Sequence, residues 1–338
     1  MRKFLILLTI VVLAAAGGFG VYVRRELRVR GTPAEGLIIE IPHGLGAREV
    51  VGLLKEKKVI ESPPAALAYI LYTGARHKLR AGEYFFGHPQ TIPEVVDKLT
   101  SGLVYLHHFT IAEGLTVEAT AQRWQQEGYG SGEDFKKAAA DAVGLVRRFD
   151  PKAVSVEGYL FPETYSFPAH TSPRQVIESM IGRFQQVASK LRQAMPEDKW
   201  PLNLHDTVIL ASLVESEAAQ PDERSVIASV YLNRLNRHIL LQCDPTVIYA
   251  LEQSDKYLGR LTLADLRFQS PYNTYVSPGL PPGPIANPGY PSLLAAIQPA
   301  NTNFLYFVRT TEARHTFSET LAAHNRAVAA YRKLKRAS

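Results

Sequence analysis

One cysteine, Cys243, stands in 338 residues. It has no partner for an intrachain disulfide, and a lone thiol does not make a metal site, so cystine frameworks and cysteine-rich zinc sites are excluded. The compartment is left open. A strong charge of one sign is also missing: the formal net charge is only +6. The basic residues are scattered, with their densest sets at the two ends (Arg24 to Arg30 and Arg332 to Arg336). A nucleic-acid binder concentrates Lys and Arg beside aromatics or within a recognisable motif, and this pattern speaks against one. The usual catalytic signatures are absent as well. No G-x-S-x-G, S-x-x-K, H-E-x-x-H or phosphate-binding loop occurs, and no Cys/His cluster has metal-ligand spacing. The adjacent pair His107 and His108 points to opposite sides of a strand and reads as structural. No metal and no cofactor is expected.

Long apolar runs are scarce too, with one exception. Residues 4–23 are uncharged and apolar, about the length that crosses a bilayer. Arg2 and Lys3 precede the run, and Arg24, Arg25, Arg28 and Arg30 follow it. The small residues Ala14 to Gly17 would suit the end of a cleavable signal peptide. The run continues through Phe19, Val21, Tyr22 and Val23, longer than such a peptide needs, which favours an uncleaved anchor over residues 1–23. The heavier positive charge after the span would by itself put the C-terminal side in the cytoplasm.

The remaining composition, 46% hydrophobic and 21% charged, is that of a chain that folds around cores. Residues 24–36 read as a polar linker and 37–105 as a first compact module. In that module residues 37–41 form a strand, 47–57 a helix, 64–72 a second helix and 79–86 a strand. Thr91 and Glu94 have capping-box spacing ahead of another helix. The pattern Gly46-x-x-Glu49-Val50-Val51-x-x-Leu54 returns as Thr91-x-x-Glu94-Val95-Val96-x-x-Leu99, with a weaker third version at Leu115-x-x-Glu118. Small glycan-binding α/β modules of the LysM type are built of such units. Capped amphipathic helices of any α/β protein show the same pattern, and on the pattern alone that second reading is preferred.

Residues 106–338 form the larger domain, of mixed α+β class. It holds a strand at 109–111, a helix at 117–127, an aromatic, turn-prone stretch at 157–165 and a long amphipathic helix at 172–194. A helix over 206–219, capped by Asp206 or Thr207, is apolar nearly all round and therefore buried. A further helix spans 222–238. The segment 277–291, dense in Pro and Gly, reads as a rigid wall of a site. Ser292 caps a helix to Gln298. A buried strand at 304–308 pairs with His315 to Phe317 across a hairpin, and a last helix covers 321–334.

With the other signatures gone, carboxylates carry the chemistry. Glu215 and Glu217 close the apolar helix. Glu217 lies three and four residues after Val214 and Leu213 and continues their face, so its carboxyl is partly desolvated and raised in pKa, as a general acid near neutral pH requires. Glu215 lies about 200° around the helix. Either glutamate could instead pair with Arg224 or Arg234 of the next helix. Glycoside cleavage ordinarily takes two carboxylates. One suffices when the attacking group belongs to the substrate, as with the 6-hydroxyl of N-acetylmuramic acid in peptidoglycan. No second acid is evident near Glu217, which suits that chemistry.

Seven stretches, in order, carry a resemblance: 157–165 (EGYLFPETY), 211–217 (ASLVESE), 228–235 (ASVYLNRL), 241–249 (LQCDPTVIY), 272–275 (YNTY), 279–285 (GLPPGPI) and 315–317 (HTF). Together they resemble the endolytic murein transglycosylase, or YceG-like, family over essentially the whole chain. The resemblance implies an N-terminal transmembrane helix, a LysM-like module at 37–105 and an α+β catalytic domain at 106–338. It implies that Glu217 is the catalytic acid/base, and that Gln242, Asp244, Tyr272, Asn273 and Tyr275 line the glycan cleft. A structural role for Asp244 ahead of Pro245 is an equal alternative. Cys243 falls where the family tends to have Thr or Ser, a departure expected not to touch the chemistry. The implied setting is the bacterial inner membrane, with the N-terminus cytoplasmic and the bulk periplasmic. Peptidoglycan strands are the implied substrate and cell-wall synthases the implied partners. A hydrolytic muramidase and a non-catalytic wall-binding scaffold are the competing readings.

Overall fold

Twenty consecutive apolar residues form a helix because its own hydrogen bonds satisfy every backbone group but those at its ends. In the computed structural model, which describes residues 1–310 and 314–337, this helix is α1 (Arg2–Glu26). It is long and apolar enough to cross a membrane, and none of it is buried. It runs three residues beyond the apolar stretch, since Arg24, Arg25 and Glu26 are good helix formers and nothing there breaks the turn. The chain divides into two compact units, residues 1–108 with 166–170, and residues 109–165 with 171–338.

The first unit places β1 (Leu37–Ile41), α2 (Ala47–Glu56), α3 (Pro63–Tyr72), β2 (Gly82–Phe86) and α4 (Ile92–Ser101) in that order. β1 and β2 are antiparallel, with Leu37 opposite Phe86 and Ile41 opposite Gly82. Their alternating inward residues Ile39, Ile41, Tyr84 and Phe86 are buried with Val50, Val51 and Leu54 of α2, Ile70 of α3 and Val95 and Leu99 of α4. The recurring sequence pattern is a pair of helix starts. Glu94 accepts from the Thr91 backbone N–H at 2.7 Å, and Glu49 from that of Gly46 at 2.6 Å. Residues 24–36 do more than link. The Gly31 N–H donates to Gln90 O (2.9 Å) and that of Thr32 to Lys58 O (2.8 Å). A Cβ on Gly31 would sit 2.0 Å from the Val59 carbonyl oxygen, so only glycine fits. The end of α1 is tied in as well: the Tyr22 hydroxyl hydrogen-bonds Ser62 Oγ at 2.8 Å, and Val23 and Leu27 pack against the core.

β3 (Leu106–Thr110) and β4 (Thr164–Pro168) make a second two-stranded sheet. As the strand alternation requires, His107 and His108 point apart: His107 meets Glu83 at 2.7 Å and His108 meets Ser166 at 2.9 Å.

The second unit is mostly helical: α5 (Val117–Gln126), α6 (Gly132–Asp141), α7 (Val143–Val146), α8 (Pro173–Ala194), α9 (Leu204–Glu217), α10 (Arg224–Asn236), α11 (Asp244–Glu252) and α12 (Tyr290–Ile297). The hairpin β5 (Tyr306–Arg309) and β6 (His315–Ser318) and the last helix α13 (Leu321–Ala337) complete it. The expected link between the two hairpin strands falls partly on 311–313, outside the described residues. The apolar helix α9 is its centre, and α10, α11 and α12 all pack on it. Two expected caps move. Asn203, not Asp206 or Thr207, caps α9, its Oδ1 accepting from Asp206 N at 3.1 Å. Gly289 precedes α12, and Ser292 lies inside the helix, accepting from Arg224 Nε at 3.1 Å. The Pro/Gly segment is a buried strap: residues 283–289 are all inside. Ile285 N–H donates to Ser212 Oγ at 3.1 Å and Gly289 N–H to Glu215 Oε2 at 2.9 Å, both on α9.

Candidate active site

The two glutamates that end α9 part company because successive helical positions diverge by about 100°. Glu215 turns into the protein, with a side chain 5% exposed. It accepts from Arg224 Nη2 at 3.2 Å and from the Gly289 backbone N–H at 2.9 Å. Arg224 also lies 3.7 Å from Glu113, whose carboxyl burial and the Glu215 charge raise. The Glu215–Arg224 pair is the ion pair that either glutamate was open to forming. Arg234 takes no glutamate. It is buried and spends its guanidinium on the carbonyls of Leu305, Leu240 and Leu241 and on Gln242 Oε1.

Glu217 is half-buried. Tyr231 Oη of α10 donates to its Oε1 at 3.3 Å, and the Cys243 thiol hydrogen-bonds the same carboxyl. Asp244 and Arg309 add a negative and a positive charge nearby. The carboxyl is pushed up to about 7, first by burial and then by the Asp244 charge, against the two hydrogen bonds and Arg309. Its place at the C-terminus of α9, where unpaired carbonyls carry partial negative charge, works in the same direction as burial. An acid of this kind is still partly protonated at neutral pH and can give its proton up to a leaving group.

One other carboxyl is raised as far. Glu157, 3% exposed, is pushed up to about 8 by burial, against hydrogen bonds from Val117 N, Gly158 N and Tyr249. Asn287, fully buried, ties the same place together. Its Oδ1 accepts from Gly158 N (2.9 Å) and Leu160 N (3.0 Å), and its Nδ2 donates to Leu115 O (2.8 Å) and Glu157 Oε1 (3.2 Å). Glu157 is sealed from any substrate and is a strut. Glu217, half-buried, is the more exposed of the two raised acids.

The residues expected around a glycan are placed as follows. Gln242 and Asp244 are exposed beside Cys243. Gln242 adopts a left-handed backbone (φ 52°), a conformation that costs a non-glycine residue about 1 kcal/mol and is held here by the Thr274 carbonyl and Arg234. Tyr275 Oη donates to Asp244 Oδ1 at 2.5 Å. Asp244 and Tyr275 come together near Glu217, and Gln242 precedes the Cys243 that bonds it. Tyr272 does not join them. Its ring lies 5.0 Å from that of Tyr249, in the field of Glu157. Asn273 is wholly buried, its amide donating to Leu266 O and Phe268 O and accepting from Tyr275 N. It shapes the loop and offers nothing to a ligand.

Two expectations change. A second acid, Asp244, does stand near Glu217: the chain brings it from 27 positions away in sequence, so no local pattern announced it. Cys243, set aside as irrelevant to the chemistry, bonds the acid directly and is itself raised by burial and the Glu217 charge. Tyr231, which in the sequence reads as part of the core stripe of its helix, and Arg309 were not expected at the acid. A knot of threonines fixes the start of α11: Cys243 N donates to Thr274 Oγ1 (2.9 Å), Thr246 Oγ1 to Cys243 O (2.6 Å), and the two threonine hydroxyls meet at 2.9 Å. A cavity of about 580 Å³ lies at the other end of α11, against Tyr249 and Glu252, away from Glu217.

The sequence matches the YceG-like family over residues 39–330. An endolytic murein transglycosylase of Bacillus subtilis is 34% identical over 308 residues, covering 87% of this chain and 84% of that protein. A protein of the same name from Streptococcus pneumoniae is 27% identical, covering 97% of this chain but 64% of its own longer one. A crystal structure of a YceG-like protein from Listeria monocytogenes superposes with a TM-score of 0.60 at 32% identity, covering 86% of this chain and 98% of that one.

Proposed function

The chain belongs to the YceG-like family, and we propose that it is an endolytic murein transglycosylase with Glu217 as its general acid and base. The observation that carries the reading is a half-buried carboxyl pushed up to about 7 at the end of a buried helix. Protonated Glu217 gives its proton to the oxygen that joins C1 of N-acetylmuramic acid to the next sugar, and the C1–O bond breaks. The carboxylate left behind takes the proton of the 6-hydroxyl as that oxygen bonds to C1. Glu217 ends as it began, a 1,6-anhydro ring is formed and no water is consumed. Burial favours the first half of the cycle, and Arg309, Tyr231 and Cys243 stabilise the ionised carboxyl in the second.

Gln242, Asp244 and Tyr275 form the near wall of the glycan cleft in this reading, with Tyr272 further along the strand. The strand–helix–helix–strand order of residues 37–86 supports a LysM-like glycan-binding role for the 37–105 module, and 106–338 forms the catalytic domain. α1 supports a single-pass anchor in the bacterial inner membrane, N-terminus inside and bulk in the periplasm, since long domains translocate largely regardless of flanking charge. There the enzyme would meet nascent strands beside the synthases that make them.

Mass spectrometry of purified glycan strands, incubated with detergent-solubilised full-length chain or its Glu217→Gln variant, tests the reading. Anhydro-ended fragments, lighter by one water than hydrolytic products, are expected from the wild type alone. The Asp244 charge beside Glu217 gives a hydrolytic muramidase specific support as the second reading; reducing-end fragments would establish it. No cleavage by either protein would leave a wall-binding scaffold.

A further inference from the structure

We infer that the outer face of α3, with the basic residues that follow it, is a docking surface for an anionic bilayer, so that the first unit lies on the membrane that α1 crosses. The inference goes beyond the reading of α1 as an uncleaved anchor and rests on it.

α3 reads PPAALAYILY, ten residues without a charge, an amide or an aliphatic hydroxyl. A helix that is apolar all round is expected to be covered all round. Ala65, Ala66 and Ile70 are covered by the core of the unit. The opposite side carries Pro64, Leu67, Ala68 and Leu71, since positions three and four apart share a face. Pro64 is exposed, Leu71 is 72% exposed, and Tyr72 beside it at the helix end is 90% exposed. One exposed leucine needs no explanation, whereas an apolar helix face continuous with a membrane span does.

The span indicates what covers that face. The protein covers none of residues 4–22, the part a bilayer holds. Tyr22, an aromatic of the kind found at the membrane–water boundary, hydrogen-bonds Ser62 Oγ at 2.8 Å. Ser62 caps α3, its Oγ accepting from Ala65 N at 3.3 Å, and α3 itself packs on α1. The first turn of α3 is therefore fixed at the level where the span leaves the lipid. Its inner face is turned to the core of the unit, which leaves the outer face for the bilayer surface.

The charges agree. From Pro63 to Arg80 the chain holds no acid, and Arg76, His77 and Lys78, all exposed, follow soon after the helix. Arg24, Arg25 and Arg28 stand exposed at the end of α1, with Glu26 as the one acid among residues 24–30. An apolar helix face rimmed by cations is the pattern that enters a headgroup layer and gains from anionic lipid.

The test uses the full-length chain reconstituted in phosphatidylcholine vesicles, with or without phosphatidylglycerol, and a tryptophan introduced as the probe. Tyr72→Trp reports on α3 and Leu13→Trp on the middle of α1. Trp124 and Trp200 are buried in the second unit, and their emission in the wild type is subtracted. The Tyr72→Trp emission should lie to the blue of an indole in water. Lipids brominated near the headgroup should quench it, more strongly when phosphatidylglycerol is present, and adding Arg76→Glu with Lys78→Glu should remove that extra quenching. Emission typical of water and untouched by brominated lipid, with Leu13→Trp quenched in the same vesicles, overturns the inference. A blue-shifted but unquenched Tyr72→Trp overturns it too, because a protein surface then covers the face. Quenching that ignores both phosphatidylglycerol and the charge reversals overturns the part given to the basic residues. A Leu13→Trp that brominated lipid fails to quench would instead sink the anchor reading beneath it.

Discussion

Glutamine at position 217 keeps the shape of the side chain and removes its proton exchange, and the consequences for catalysis and for stability run in opposite directions. Folding lifts the Glu217 carboxyl from 4.5 to about 7. Below pH 4.5 the group is protonated in folded and unfolded chain alike and contributes nothing. Between 4.5 and about 7 the unfolded chain ionises first, so stability falls as pH rises, and above 7 the loss is complete. At ~1.4 kcal/mol per pH unit the full loss is ~3 kcal/mol, and solvent at the half-buried site trims it to ~2 kcal/mol. A glutamine has no charge to desolvate. Glu217→Gln is therefore expected to melt higher than the wild type at pH 8, at roughly 2–4 °C per kcal/mol for a unit of this size. At pH 4 the two should melt alike. Cleavage should fall by at least ~100-fold, the lower bound for removing a general acid. Circular-dichroism melts of the detergent-solubilised chain at the two pH values, with strand cleavage measured on the same preparations, check both halves. A difference in melting temperature that is the same at pH 4 and pH 8 would refute the claim that burial holds the proton on Glu217.

Three further outcomes are expected. Glu215→Gln should behave in the opposite way to its neighbour, losing about 3 kcal/mol through the broken buried pair with Arg224, seen as a lower melting temperature at pH 8. Asn287→Ala should lose about 2 kcal/mol, because Leu160 N is left buried without its partner and Gly158 N, Leu115 O and Glu157 Oε1 each lose one hydrogen bond; urea unfolding measures it. Cys243→Ser puts a stronger hydrogen-bond donor against Glu217 and should move the alkaline limb of activity to lower pH, whereas Cys243→Ala removes the donor and should move it higher.

Much of this was legible where the signal is local. The capping residue Thr91 announced α4, and the long amphipathic pattern announced α8. The run from Val208 to Val214 announced a buried helix, and counting three and four residues on from its apolar face singled out Glu217. Helix α6 was missed because its buried face is small, with Phe135 and Ala139 and no periodic stripe of large residues. The burial of residues 283–289 within the Pro/Gly segment was not legible, for a different reason. Proline and glycine indicate a stiff, irregular backbone, but whether it lines a cleft or lies inside depends on who satisfies its polar groups, here Ser212, Glu215, Gly158 and Leu160. Asn273 and Asp244 have equally polar side chains. One is spent on carbonyls of its own loop and the other faces the acid, and no local pattern separates them.

The spacing E-x-E therefore divides two tasks between opposite sides of one helix end. Glu215 looks toward Arg224 and the strap, and its charge is neutralised by a cation and a backbone N–H, as a buried structural carboxylate requires. Glu217 looks toward the start of α11, where Tyr231 and the Cys243 thiol hydrogen-bond it and a second negative charge stands nearby. Because the two environments share only the helix backbone, the acid strength of Glu217 can be altered from α11 and the 272–275 loop without loosening the strap. The converse does not hold. The strap carries Gly289 and Ile285 against α9, so a change that weakens the Glu215 anchor displaces the helix end on which Glu217 is mounted. On the proposed role of Glu217, tuning is thus local to one face, whereas positioning depends on both.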